Sequence, residues 1–133
     1  MQVVVFELGN ALFAISTDVV QSINDTMNVT KVPRAPKFIK GLINLRGSIK
    51  TLVDINLILN IDDNNAKENI MILSIEKEEI AIEVDFVKEV IEIDKDDIRI
   101  IDECDKPFMY GVIKFDDELI TLLDMNILIS TVT

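Results

Sequence analysis

The chain repeats itself, and that repeat constrains its fold more than any other feature. Residues 41–60, GLINLRGSIKTLVDINLILN, align without gaps to residues 111–130, GVIKFDDELITLLDMNILIS, at an offset of 70. Gly41/Gly111, Ile43/Ile113, Thr51/Thr121, Leu52/Leu122, Asp54/Asp124 and Asn56/Asn126 are identical, and most other pairs exchange one apolar residue for another. Upstream, residues 3–23 align to residues 70–90 at an offset of 67, with Ala14/Ala81, Ile15/Ile82, Asp18/Asp85 and Val20/Val87 in common. Both matches occur in the same order, so one plan is used twice, over about 3–60 and 70–130.

Each half reads as a series of short apolar strands. The first runs over about 2–8 or 70–75, and a tight turn follows at Gly9-Asn10 or Lys77-Glu78. Gly-Asn suits a two-residue hairpin because glycine takes positive φ without penalty. A second strand is expected at 11–16 or 79–84, then a helical turn near Thr17-Asp18 or Asp85, where an aspartate can cap free N–H groups. A third strand is expected at 28–33 or 90–94. A hairpin, 41–46 with 48–54 or 111–115 with 118–124, leads to a short helix at 55–60 or 125–130. Asp54 and Asp124 stand at the same place before those helices, which reads as capping. The expected fold is mainly β: two pseudo-symmetric five-stranded barrels with short helices, packed as one domain over residues 1–133. The polar stretch 61–69 connects the halves, neither of which is large enough to stand comfortably alone.

Composition removes several kinds of chemistry. There is no histidine, so Ser-His-Asp and Cys-His catalysis and histidine-ligated metals are out of reach of this chain. The single cysteine, Cys104, has no internal partner for a disulfide and no histidine to activate it, which fits a reducing cytoplasm and a bystander thiol. No apolar run approaches membrane-helix length, and the N-terminus lacks a signal-peptide pattern. The acids of residues 91–107 lack the glycine and spacing of a calcium loop, and no phosphate-binding glycine motif is present. No cofactor and no enzyme activity is expected. The net charge of −11 and the few aromatics disfavour nucleic acid, and equally a ligand-stacking barrel.

The charge is unevenly spread. Residues 26–53 hold Lys31, Arg34, Lys37, Lys40, Arg46 and Lys50 and no acid, whereas residues 54–133 hold 21 acids against 7 bases. This is either a solvated face or a positive strip for docking an acidic protein partner. Within the strip, Arg46-Gly47 aligns with Asp116-Asp117 at the other hairpin tip. The fold therefore does not demand a base there, and Arg46 is either a docking residue or an inert turn charge.

The segment PRAPKFIKGLINLRGSIKTLVDI, 33–55, resembles the signature of the CheW-type chemotaxis coupling proteins. EVDFVKEV at 83–90 and GVIKFDDELITLLDMNILI near the end are similar to the same family, so the resemblance spans practically the whole chain. It implies two SH3-like barrels and a non-catalytic, cytoplasmic adaptor that couples chemoreceptors to the chemotaxis histidine kinase. Carried over, the receptor tip would dock on Val20, Gly41, Asn44, Arg46 and Gly47, and the regulatory domain of the kinase on Val29, Lys31 and Val32. Two positions depart from the family pattern: Thr51 replaces a usual proline, and Ser22 replaces an acid that could have paired with Arg46. On this resemblance Arg46 is a contact offered to a partner protein. The alternative is a diverged, non-catalytic assembly subunit that uses the basic strip of residues 26–53 on another acidic protein.

Overall fold

The computed structural model describes residues 1–62, 64–101 and 106–132. Cys104 lies outside these residues. Among the described residues eleven strands and two α-helices follow one another: β1 (Gln2–Leu8), β2 (Ala11–Ser16), β3 (Val20–Asp25), β4 (Ile39–Leu45), β5 (Ser48–Val53), α1 (Ile55–Leu59), β6 (Asn69–Ile75), β7 (Glu78–Val84), β8 (Phe86–Glu92), β9 (Ile98–Ile100), β10 (Met109–Phe115), β11 (Glu118–Leu123) and α2 (Met125–Val132). They form two sheets, in the orders β8-β1-β2-β11-β10-β9 and β3-β6-β7-β5-β4. The mainly β, doubly barrelled architecture expected from the repeat is what forms. One sheet carries six strands rather than five, because β9 adds a three-residue edge to it.

The sheets do not coincide with the halves of the repeat. Each takes strands from both halves, because β3 pairs with β6 and β8 pairs with β1. The reason lies in the connections. Between β2 and β3 there is only a 3-10 turn, Thr17–Val19, and between β7 and β8 only Asp85. Neither is a hairpin turn that could reverse the chain beside the preceding strand, so the chain runs on into the other sheet. The repeat survives as pairing. β11 lies parallel to β2 with Thr121 opposite Phe13, and β5 lies parallel to β7 with Thr51 opposite Ile80.

Several sequence expectations are corrected here. The third strand of each half is Val20–Asp25 and Phe86–Glu92, not 28–33 and 90–94. Residues 28–33 make a single bridge, Thr30 to Leu42, at the position that β9 holds in the other sheet, and Pro33 offers no N–H to continue it. The second-half turn is Glu76-Lys77, with φ of 49° and 72°, one residue earlier than Lys77-Glu78. Asp18 does not cap the first 3-10 turn; the Ser16 side chain accepts from the Asp18 N–H instead. No helical turn forms at Asp85, and the second 3-10 turn comes later, at Lys95–Asp97. Asp54 and Asp124 do cap their helices, accepting from the Leu57 and Ile127 N–H groups at 3.1 and 3.2 Å.

Strict alternation along the strands packs three cores. Val3, Val5 and Ala14 point into the six-stranded sheet with Ile113, Ile120 and Leu122. Their repeat equivalents Ile70, Ile72 and Ala81 point into the five-stranded sheet with Ile43 and Leu52. The intervening residues, Val4, Phe6 and Leu8 on β1 and Met71, Leu73 and Ile75 on β6, meet between the sheets in one shared core. Phe6 stacks on its cross-strand partner Phe13 there, with centroids 6.1 Å apart. β1 and β6 are therefore buried on both faces, which is why they read as continuous apolar runs.

The junction between the sheets is fastened by a buried ion pair. Asp85 accepts from Lys67 Nζ at 2.7 Å, from Asn65 Nδ2 at 3.0 Å and from the Gly9 N–H at 2.9 Å. Burial, the largest influence on this carboxyl, pushes its pKa up. The hydrogen bonds from Lys67, Asn65 and Gly9, with the Lys67 charge, outweigh it, and the net value lies below the usual aspartate range. One side chain thus ties the inter-half segment and the β1–β2 turn to the point where the chain crosses between sheets.

Candidate functional site: the β4–β5 hairpin and its basic approach

The β4–β5 hairpin pairs Ile39–Leu45 with Ser48–Val53, with Asn44 opposite Ile49. At its tip Arg46 and Gly47 have φ of 53° and 85°, the two positive values of a type I′ turn. The equivalent pair Asp116-Asp117 takes 49° and 64°. The turn is thus a property of the repeat, and Arg46 occupies a backbone conformation that an arginine does not favour. Asn44 locks the tip, its Oδ1 accepting the Gly47 N–H at 2.8 Å. Asn44, Arg46 and Gly47 form one exposed unit at the hairpin end.

The other predicted site residues are placed differently. Gly41 is buried at a bulge at the far end of β4. A Cβ there would stand 2.5 Å from the Thr30 carbonyl oxygen and 2.6 Å from Val29 Cγ1, so the position serves close packing. Val29 is half-buried against the core of the five-stranded sheet and touches Gly41, so one residue of each predicted set meets the other. Lys31 and Val32 are exposed on the segment that leads to Pro33. Val20 lies on β3, at the opposite edge of the sheet order, half-buried against the shared core. The structure therefore joins Asn44, Arg46 and Gly47 and leaves Val20 on another strand.

The basic strip divides in two. Lys40 pairs with Glu83 at 3.1 Å, and Lys50 pairs with Glu79, which also accepts from Gln21 Nε2 at 3.0 Å. The Lys50 hydrogen bond, helped by Gln21, holds the Glu79 carboxyl below its usual range. Both acids sit on β7, so these two lysines are neutralised within the sheet. Among the described residues no ion pair is recorded for Lys31, Arg34, Lys37 or Arg46, and Lys37 lies 5.7 Å from the Phe38 ring. Ser22, which stands where an acid could have met Arg46, accepts from Asn24 Nδ2 at 3.0 Å.

Ile49 is an exposed aliphatic residue that the sequence reading did not single out. It is 60 % exposed beside Asn44, and its repeat equivalent Leu119 is 68 % exposed. A signal was available: both follow a hairpin turn by two residues, at an outward position of the strand, and both halves keep a large aliphatic side chain there.

The hairpin end thus presents a locked tip, an exposed aliphatic residue and, among the described residues, a positive charge without an ion pair. Residues 2–133 match the model of the CheW-like domain. The chain belongs to the CheW family. This CheW-family chain is 29 % identical to the chemotaxis protein CheW of Thermotoga maritima, covering 99 % of this chain and 89 % of that one. It is 28 % identical to the chemotaxis protein CheW of Klebsiella aerogenes, over 96 % of this chain and 80 % of the relative. The crystal structure of the scaffolding protein TtCheW from Thermoanaerobacter tengcongensis superposes with a TM-score of 0.87 at 31 % identity, covering 96 % of this chain and 86 % of that one. Among the described residues no helix is long and apolar enough to cross a membrane.

Proposed function

We propose that this chain is a non-catalytic chemotaxis scaffold that couples the cytoplasmic tip of chemoreceptors to the regulatory domain of the chemotaxis histidine kinase. The observation that carries the reading is the exposed Asn44-Arg46-Gly47 hairpin end, held rigid by the fold and carrying a charge with no ion-pair partner among the described residues. A rigid tip loses little conformational freedom on binding, and a free guanidinium gives directional contacts to acidic or carbonyl groups. Val29, Lys31 and Val32 supply the second, kinase-facing surface in this reading, and the protein works in the cytoplasm without a cofactor. The free charges of Lys31, Arg34 and Arg46 also fit the second reading, an assembly subunit on another acidic protein.

Titration calorimetry with the receptor tip and the kinase regulatory domain of the same organism tests the proposal. Saturable binding to both is expected. Arg46→Glu should weaken receptor-tip binding by at least about tenfold, a loss of roughly 1.4 kcal/mol, while leaving the thermal midpoint almost unchanged. Binding to neither partner overturns the reading, and binding to an unrelated acidic protein alone favours the second one.

A further inference from the structure

The two halves of the repeat differ at one corner. In the six-stranded sheet a cavity of about 210 Å³ opens between the end of β11, the start of α2 and the first 3-10 turn. Val19, Ile98, Leu122 and Met125 form apolar wall, and Tyr110 and Asp124 stand among the polar groups around it. At the equivalent corner of the five-stranded sheet the aligned residues differ. Phe86 stands at the position of Val19, and the ion pair of Lys40 with Glu83, at 3.1 Å, stands at the positions of Tyr110 and Ser16. The cavity thus arises where the repeat has exchanged a large ring for a valine and a salt bridge for a tyrosine and a serine.

We propose that this cavity is a binding site for a small neutral aromatic molecule with one hydrogen-bond donor. Size sets the first part. A cavity of about 150 Å³ lined by aliphatic and aromatic side chains holds benzene, so 210 Å³ accommodates one or two fused rings. Charge sets the second. Lys95 and Asp124 both line the site and offset one another, and the Met1 ammonium is engaged by Glu92 at 2.8 Å, so nothing here favours a net ionic ligand. Hydrogen bonding sets the third. Asp124 Oδ1 caps α2 by accepting the Ile127 N–H, and among the described residues no partner is recorded for Oδ2, which is left to accept from a ligand N–H or O–H. The ligand class combines apolar area for the wall with a single donor for that oxygen.

Indole is the probe. Titrated into the intact protein, it should shift the methyl resonances of Val19, Leu122 and Met125 and the ring resonances of Tyr110, saturably and at millimolar concentration or below. 1-Methylindole, which lacks the N–H, should bind at least threefold more weakly. Val19→Phe restores the ring that the other half carries at Phe86 and should reduce indole affinity at least tenfold with the fold retained. Asp124→Asn keeps the helix cap, since asparagine caps as well as aspartate, but can place a donor where the ligand needs an acceptor. It should abolish the preference for indole over 1-methylindole, and it decides the matter should Val19→Phe fail to fold. The absence of saturable shifts up to the solubility limit overturns the proposal, as do shifts spread beyond the cavity, or equal binding of both probes to the wild-type chain.

Discussion

Replacing Asp85 by asparagine removes one charge and almost no volume, and it tests how the two sheets are held at their crossing. The carboxylate is 4 % exposed as a residue and accepts from Lys67, Asn65 and the Gly9 N–H. The Lys67 side chain is 8 % exposed, so Asp85→Asn removes one charge of a buried pair. Breaking a buried pair from one side costs about 3–5 kcal/mol. For a chain of this length that corresponds to a fall in Tm of roughly 10–15 °C. Urea denaturation at pH 7 should show the loss as a lower midpoint at unchanged slope. Asp85→Asn with Lys67→Met should lose less than the sum of the two single losses, because both remove the same pair. The pH dependence has a fixed sign. The folded-state pKa of Asp85 lies below its unfolded value, so its stabilisation is present above the ordinary aspartate range and is lost as pH falls through the depressed folded value. Asp85→Asn should flatten that acid limb. A loss below about 1 kcal/mol, or additive losses in the double variant, would refute the idea that this pair fastens the crossing.

Four further outcomes follow from local geometry. Gly41→Ala should cost about 1–3 kcal/mol by urea denaturation, because its Cβ would meet the Thr30 carbonyl at 2.5 Å, and Gly111→Ala should behave alike against Arg99 at 2.7 Å. Replacing Glu76-Lys77 by Asn-Gly should stabilise the chain by about 1 kcal/mol, since both residues now hold positive φ at a type I′ turn; a lower thermal midpoint would contradict the assigned turn. Asp54→Ala should cost about 1 kcal/mol of stability through loss of the α1 cap, while Asp54→Asn should cost far less. Arg46→Asn should separate turn from contact: asparagine suits φ of 53° and should keep or raise Tm, yet receptor-tip binding in calorimetry should weaken.

The repeat, the hairpins, the caps of the two α-helices and the class of fold can be read along the chain. These rest on contacts close along the chain. Two-residue turns choose residues that tolerate positive φ, caps need a short side-chain acceptor just before the first turn, and alternating apolar residues define strands. The hairpin tip carrying Asn44, Arg46 and Gly47 was legible for the same reason. Which strands share a sheet is settled by long-range packing. The weakly patterned segment VQSIND becomes β3 because β6, 44 to 53 residues further on, supplies its hydrogen-bonding partners. The stronger-looking 28–33 finds only Leu42 and makes one bridge. The same distance in sequence hid the role of Asp85, which its identity with Asp18 presents as a cap, whereas Lys67, Asn65 and Gly9 make it a clamp. It hid the aromatic-sized cavity too, whose wall comes from separate segments that meet only when the chain crosses from one sheet to the other. Local backbone preferences are written residue by residue, but partners brought from dozens of residues away are chosen by the packing of the whole chain.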